Sequence, residues 1–259
     1  MTAERAGPHG RVAAIGPSTP AEAACRGSAA ILAAAVPAHR AGLPWRLRWV
    51  DRGFELRANR RSLPDDDPGA RELRLVSGAA LLEIRLGVSV QGRRPVTTLV
   101  PDPSQPGLLA VLRIGERGRP TPEELALHEA AADGFAPRPA VPPVRAAALL
   151  RRAAETEGAW LRTVPTTRSR STGETPPAGG PVPLTVVLGG YDDRPVAQLQ
   201  AGQAMRRVEL TASVLGLDTA VLPVAVDDPD VRRTLTGLVG PGLHPQVVLR
   251  VGARETTPA

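Results

Sequence analysis

The feature that most constrains this chain is that it repeats. Two long apolar stretches match at an offset of 124 residues (78 to 202). Gly78-Ala79-Ala80-Leu81 aligns with Gly202-Gln203-Ala204-Met205. The same offset pairs Ile84 with Val208, Leu86 with Leu210, Ser89 with Ser213, Val90 with Val214 and Gly92 with Gly216. Further on, Val111-Leu112-Arg113-Ile114-Gly115 echoes Val248-Leu249-Arg250-Val251-Gly252, now offset by 137 (111 to 248). Composition alone gives matched leucines. It does not readily give matched terminal glycines, a matched Ser-Val pair and a matched strand in the same order. The repeat predicts a pseudo-symmetric chain, one polypeptide doing what a twofold homodimer does. Gly78 and Gly202 would let the two helices pack closely.

The helix and strand signals fit two similar units. Ala70 to Gln91 reads as a helix stopped by Gly92, and Pro195 to Leu215 as its counterpart. The centre of the first, from Gly78 to Leu82, is apolar all round and should be buried on several sides. Asp67, in the loop Ser62 to Gly69, is the natural N-cap of that helix. Ser77 and Ser213 lie inside these helices, where serine usually bonds back to a carbonyl. Strands are predicted at Arg46–Val50, around Phe54–Leu56, Val96–Val100, Leu109–Ile114, Ala159–Val164, Leu184–Leu188, Thr219–Val224 and Gln246–Val251. Thr121-Pro122-Glu123-Glu124 opens a short helix, with Thr as N-cap, Pro at N1 and Glu at N3. Further helices are expected at Ala21–Val36, Val144–Gly158 and, Asp-capped, Asp230–Leu238. The domain plan is a disordered tail over 1–20, a first half over 21–133 and a connection over 134–183 with a flexible linker at 165–183. A second half covers 184–252, and a short tail 253–259.

Charge says less than it seems to. The net charge is +6, and all 32 basic residues are Arg. Arginine keeps its charge above pH 12, so an all-Arg chain has an extreme pI without a strong field. The basic doublets are scattered, and only six aromatics are present (three Trp, one Tyr, two Phe). A nucleic-acid binder clusters its arginines and adds stacking rings, so no nucleic-acid partner is expected. No stretch approaches the roughly 20 apolar residues of a membrane helix. The one cysteine, Cys25, rules out an internal disulfide and reads as a small packed residue. Cytoplasmic location is the expectation. His39, His128 and His244 share no ligand spacing, so no metal is expected. Leu188-Gly189-Gly190 follows a strand but is neither a dinucleotide fingerprint nor a P-loop.

The ordered set of pieces resembles the nitroreductase superfamily, specifically the Acg-like branch, in which two nitroreductase-like halves are fused. The carriers are Pro44-Trp45-Arg46, the run Arg60 to Ala80, Gly92 to Pro95 with Pro101 to Pro103, and Gly158 to Leu161. Gln200 to Ala204 and His244 to Gln246 with Leu249 to Gly252 complete the set. The resemblance implies an α+β fold, with antiparallel sheets, surrounding helices and two pseudo-symmetric halves in one chain. It further implies FMN between the halves and a nicotinamide electron donor, NAD(P)H.

Against that family pattern the packing positions remain and the polar ones change. The family's flavin signature looks like Pro-Ser-x-His-Asn-x-Gln-Pro-Trp, and here the stretch runs from Pro37 to Trp45. Its Ser, His, Asn and Gln are replaced by Ala38, Arg40, Ala41 and Leu43. Ala and Leu offer no hydrogen bond to a flavin edge, a loss of roughly 1–3 kcal/mol per unpaired group. The family's phosphate cluster is reduced to Arg138, with Asp133 added. Its Asn-Gln after the second long helix is replaced by Pro223 to Val226. Two functions follow from the resemblance. One is an FMN- and NAD(P)H-dependent oxidoreductase holding its cofactor through Trp45 and a residual Arg40 or Arg138. The other is a non-catalytic, monomeric pseudo-dimer that binds or sequesters a flavin, another small planar ligand or a protein partner. The residues themselves favour the second. No catalytic side chain is expected in either case, since the chemistry belongs to the flavin.

Overall fold

The structure is a computed structural model that describes residues 43–50, 53–59, 70–105, 107–132, 140–165 and 182–253. Cys25, His39, Arg40, Asp67 and Arg138 lie outside the described residues. So do the expected helix over 21–36 and most of the linker over 165–183.

The fold is α+β. Among the described residues, eight strands form two four-stranded antiparallel sheets. The first holds β1 (Trp45–Val50), β2 (Gly53–Ala58), β3 (Arg93–Leu99) and β4 (Leu108–Arg117), in the order β1-β2-β4-β3. The second holds β5 (Trp160–Val164), β6 (Leu184–Gly190), β7 (Leu217–Val221) and β8 (His244–Ala253), in the order β5-β6-β8-β7. The echoing stretches at 111 and 248 thus occupy the same place, β4 and β8, in their respective sheets. The second sheet includes β5, upstream of the boundary at 184 that the sequence suggested.

Each sheet has a twenty-residue helix between its second and third strands: α1 (Arg71–Val90) and α4 (Pro195–Val214). Both end at a glycine with positive φ, Gly92 (71°) and Gly216 (72°). The Gly92 N–H donates to the Ser89 carbonyl and the Gly216 N–H to the Ser213 carbonyl, so even the C-terminal turns correspond. The start of α1 differs from expectation. Its N-cap is Ala70, left-handed with φ 52°, and among the described residues no side chain caps it.

The two long helices cross at their glycines. A Cβ on Gly78 would stand 2.2 Å from the Leu199 carbonyl oxygen, and one on Gly202 would stand 2.1 Å from the Leu75 carbonyl oxygen. Leu199 is 124 residues beyond Leu75, as Gly202 is beyond Gly78, so the two clefts are reciprocal. Helix α1 is buried on several sides, as its composition requires. Leu81, Ile84 and Val88 face the first sheet, while Leu82 and Leu86 pack with Leu127 and Ala130 of α2 (Pro122–Ala132). Each fully buried leucine contributes roughly 1.5–3 kcal/mol of apolar transfer.

The sheets are covered differently. One face of the second packs on α3 (Pro143–Thr156) and α4 through Leu161, Val186, Leu188 and Leu249. Its other face is covered by α5 (Pro229–Val239) and the stretch after β7, through Trp160, Val187, Val226 and Leu235. β7 stops at Val221 rather than Val224: Leu222 keeps one bond to the Val248 carbonyl, after which the Val224 and Val226 N–H groups turn back on the preceding chain while Leu222, Val224 and Val226 pack on the outside of the sheet. The first sheet packs on α1 through one face. Its other face presents Arg46, Arg48, Val96 and Arg113, all exposed.

Candidate functional site

The N-terminal ends of α1 and α4 meet the start of β8 and the loop before α5 in a polar junction. Asp193, just before α4, is its centre. The carboxylate accepts the Gln246 amide at 2.7 Å, the Gln198 amide at 3.2 Å and the Arg232 guanidinium. Partial burial works to raise the Asp193 carboxyl. It is outweighed by the bonds from Gln246, Arg232 and Gln198, which hold it below the ordinary aspartate range.

Arginines from the first half close the junction. Arg71 makes a two-pronged contact with Asp227, both bonds at 2.8 Å, and donates a third at 2.7 Å to the Gln246 carbonyl. Arg74 donates at 2.7 Å to Oε1 of Gln198, its own counterpart at an offset of 124. Gln246 is only 1% exposed, and its Oε1 is buried without a partner among the described residues. An unpaired buried acceptor costs roughly 1–3 kcal/mol.

A second polar cluster lies deeper between the halves. Glu157, at the C-terminal end of α3, is 7% exposed overall. It accepts from Arg85 at 2.6 Å and from Arg207 at 2.8 Å. Arg85 also donates to Gln203 at 2.8 Å, and Arg207 to Glu123 at 2.9 Å. The desolvation of such a group is offset only when every charge is partnered, and removing one partner costs about 3–5 kcal/mol. The cluster ties α1, α2, α3 and α4 together and offers no free group for chemistry.

Trp45 is the one sequence-predicted site residue among the described residues. It opens β1, is 9% exposed, and packs with Phe54, Leu56, Leu81 and Ile84. Its ring belongs to the core of the first half. Trp45 is enclosed, and the amides of Gln198, Gln203 and Gln246 each bond a charged neighbour.

Other expectations resolve structurally. Gly189 is required because Trp160 and the His244 carbonyl crowd it; a Cβ there would stand 2.0 Å from that oxygen. The Trp160 indole N–H donates to the Gly190 carbonyl at 2.7 Å. Ser77 does not bond back to a carbonyl: its hydroxyl is buried beside the glycine crossing with no partner among the described residues. Among the described residues no group of three His, Cys, Asp or Glu side chains is placed to hold a metal. No described helix is long and apolar enough to cross a membrane.

The Asp193 junction itself was not visible in the sequence. Its members lie up to 175 residues apart, so no local pattern joins them, although Arg74 and Gln198 stand at the offset of the repeat.

No protein-family model matches the chain, and no curated protein matches it.

Proposed function

We propose that this chain is a fused, duplicated nitroreductase-like protein that binds a small planar ligand without redox catalysis. The enclosure of Trp45 carries the reading. A ring that packs against Phe54 and Leu81 is not available to stack on a flavin. The matching strand orders, the reciprocal glycine crossing and the paired C-terminal glycines support descent from a duplicated unit. In this reading the chain acts as a monomeric pseudo-dimer in the cytoplasm, and the buried charge clusters hold the halves together rather than serve chemistry.

Visible absorption of protein supplemented with FMN and then desalted tests this. The expected result is no oxidoreductase signature, meaning no flavin band that NAD(P)H bleaches. A band near one flavin per chain that NAD(P)H bleaches overturns the proposal in favour of the oxidoreductase.

A further inference from the structure

A cleft of about 380 Å³ opens at β1 and β2 of the first sheet, lined among the described residues by Arg46, Leu47, Arg48 and Arg57. Strand register decides what it presents. Arg46 is directly opposite Arg57, and Arg48 is directly opposite Glu55, so all four side chains share one face. Like charges directly opposite on a sheet are destabilising unless something lies between them.

Among the described residues a single carboxylate, Glu55, pairs with these arginines, reaching Arg48 and Arg57. Glu55 accepts from Arg57 at 2.6 Å and lies 3.8 Å from Arg48. Arg57 is further fixed by Gln105 at 3.2 Å. The Gln105 amide in turn donates at 2.7 Å to Asp102, whose carboxylate is already engaged by Ser104. Among the described residues Arg46 has no carboxylate partner, and the Arg48 side chain is 68% exposed. Among the described residues, three guanidinium groups against one carboxylate leave two positive charges over the cleft.

We propose that this cleft binds a soluble small molecule carrying a dianionic phosphate group. Arg46 and Arg48 would grip the phosphate, and Arg57, fixed by Glu55 and Gln105, would form the floor. The charge matches a phosphate monoester, and planar guanidinium forks suit its oxygens. The volume lies at the small end of the range for ligand pockets, which favours a compact organic body. An extended single strand of nucleic acid is disfavoured. Such strands stack on aromatic rings, and Trp45, Trp49 and Phe54 all pack on the opposite, core side of the sheet. The inference does not depend on the flavin reading, since these residues face away from the core.

Titration calorimetry with inorganic pyrophosphate is the direct test, using the full chain and the variants Arg46→Gln, Arg48→Gln and Arg145→Gln. The first two replace exposed side chains, and Arg145 is an exposed arginine on α3. Unchanged circular dichroism melting identifies variants that keep the fold. The expected result is saturable one-to-one binding, weakened at least tenfold by Arg46→Gln and by Arg48→Gln and unchanged by Arg145→Gln. Three outcomes overturn the proposal: no saturable heat, equal losses in all three variants, or silence toward pyrophosphate alongside an oligonucleotide affinity that Arg46→Gln abolishes.

Discussion

Asp193 shows how a single carboxylate comes to matter in this fold. It is held below its ordinary range in the folded chain, where Gln246, Arg232 and Gln198 outweigh the opposing effect of partial burial. A carboxyl with a lowered folded pKa contributes stability above its unfolded value of about 3.9, and that contribution fades as pH falls through the folded value. Asp193→Asn should therefore be less stable than the parent at pH 7. The gap between the two should narrow once the pH drops below about 4. Urea midpoints for both proteins at pH 7, 5, 4 and 3 measure this, and a gap that stays constant across the series would sink the idea. Glu124 is also lowered. Burial opposes the shift, and the Thr121 backbone, Ser89 and Thr121 hydroxyls and Arg94 produce it. Its role is local: it closes the capping box of α2.

The capping box marks where elements were legible in the sequence. Thr121 and Glu124 bond each other's backbone N–H, at 3.1 and 2.7 Å, as their spacing predicts. Local signals of that kind located every described helix to within a few residues. The cap of α5 is an aspartate, as expected: Asp228 accepts from Asp230 and Val231. Local signals placed the start of β3 at Val96, whereas pairing with β4 carries it back to Arg93. That difference depends on a partner strand that a short window of sequence does not contain. The glycine crossing was legible because Gly78 and Gly202 stand at matching places in two similar stretches. It is also the most easily tested element. Gly78→Ala would push a methyl within 2.2 Å of backbone, so the helices must separate, at a cost of about 3 kcal/mol. Gly237→Ala in α5, with nothing within 4 Å of the new Cβ, should instead gain roughly 0.5–1 kcal/mol. Urea unfolding of both variants separates crowding from helix propensity. A Gly78→Ala protein as stable as the parent would show that the crossing has slack.

At the scale of the whole molecule, the two halves have exchanged core residues. Leu75 of α1 lies in the core of the second sheet, with Val186, Leu188 and Leu249. Leu199 of α4 lies in the core of the first, with Phe54, Leu56 and Leu112. Charge follows the same pattern: Arg206 reaches Glu83 at 2.6 Å, and Arg85 and Arg207 converge on Glu157. Each half alone would leave a buried leucine pocket open, and these charge pairs would lose one of their partners. A chain of this length with two sheets could in principle melt as two independent units, but these exchanges argue for one. The tryptophans decide the matter, since Trp45 and Trp49 sit in the first sheet and Trp160 in the second. Trp160→Phe leaves fluorescence reporting on the first half, and the double change Trp45→Phe, Trp49→Phe leaves it reporting on the second. In each variant, the fluorescence midpoint in urea should coincide with that protein's own midpoint by far-ultraviolet circular dichroism. A fluorescence transition displaced from the circular dichroism transition in either variant would mean that the halves unfold separately and that the shared helix core does not couple them.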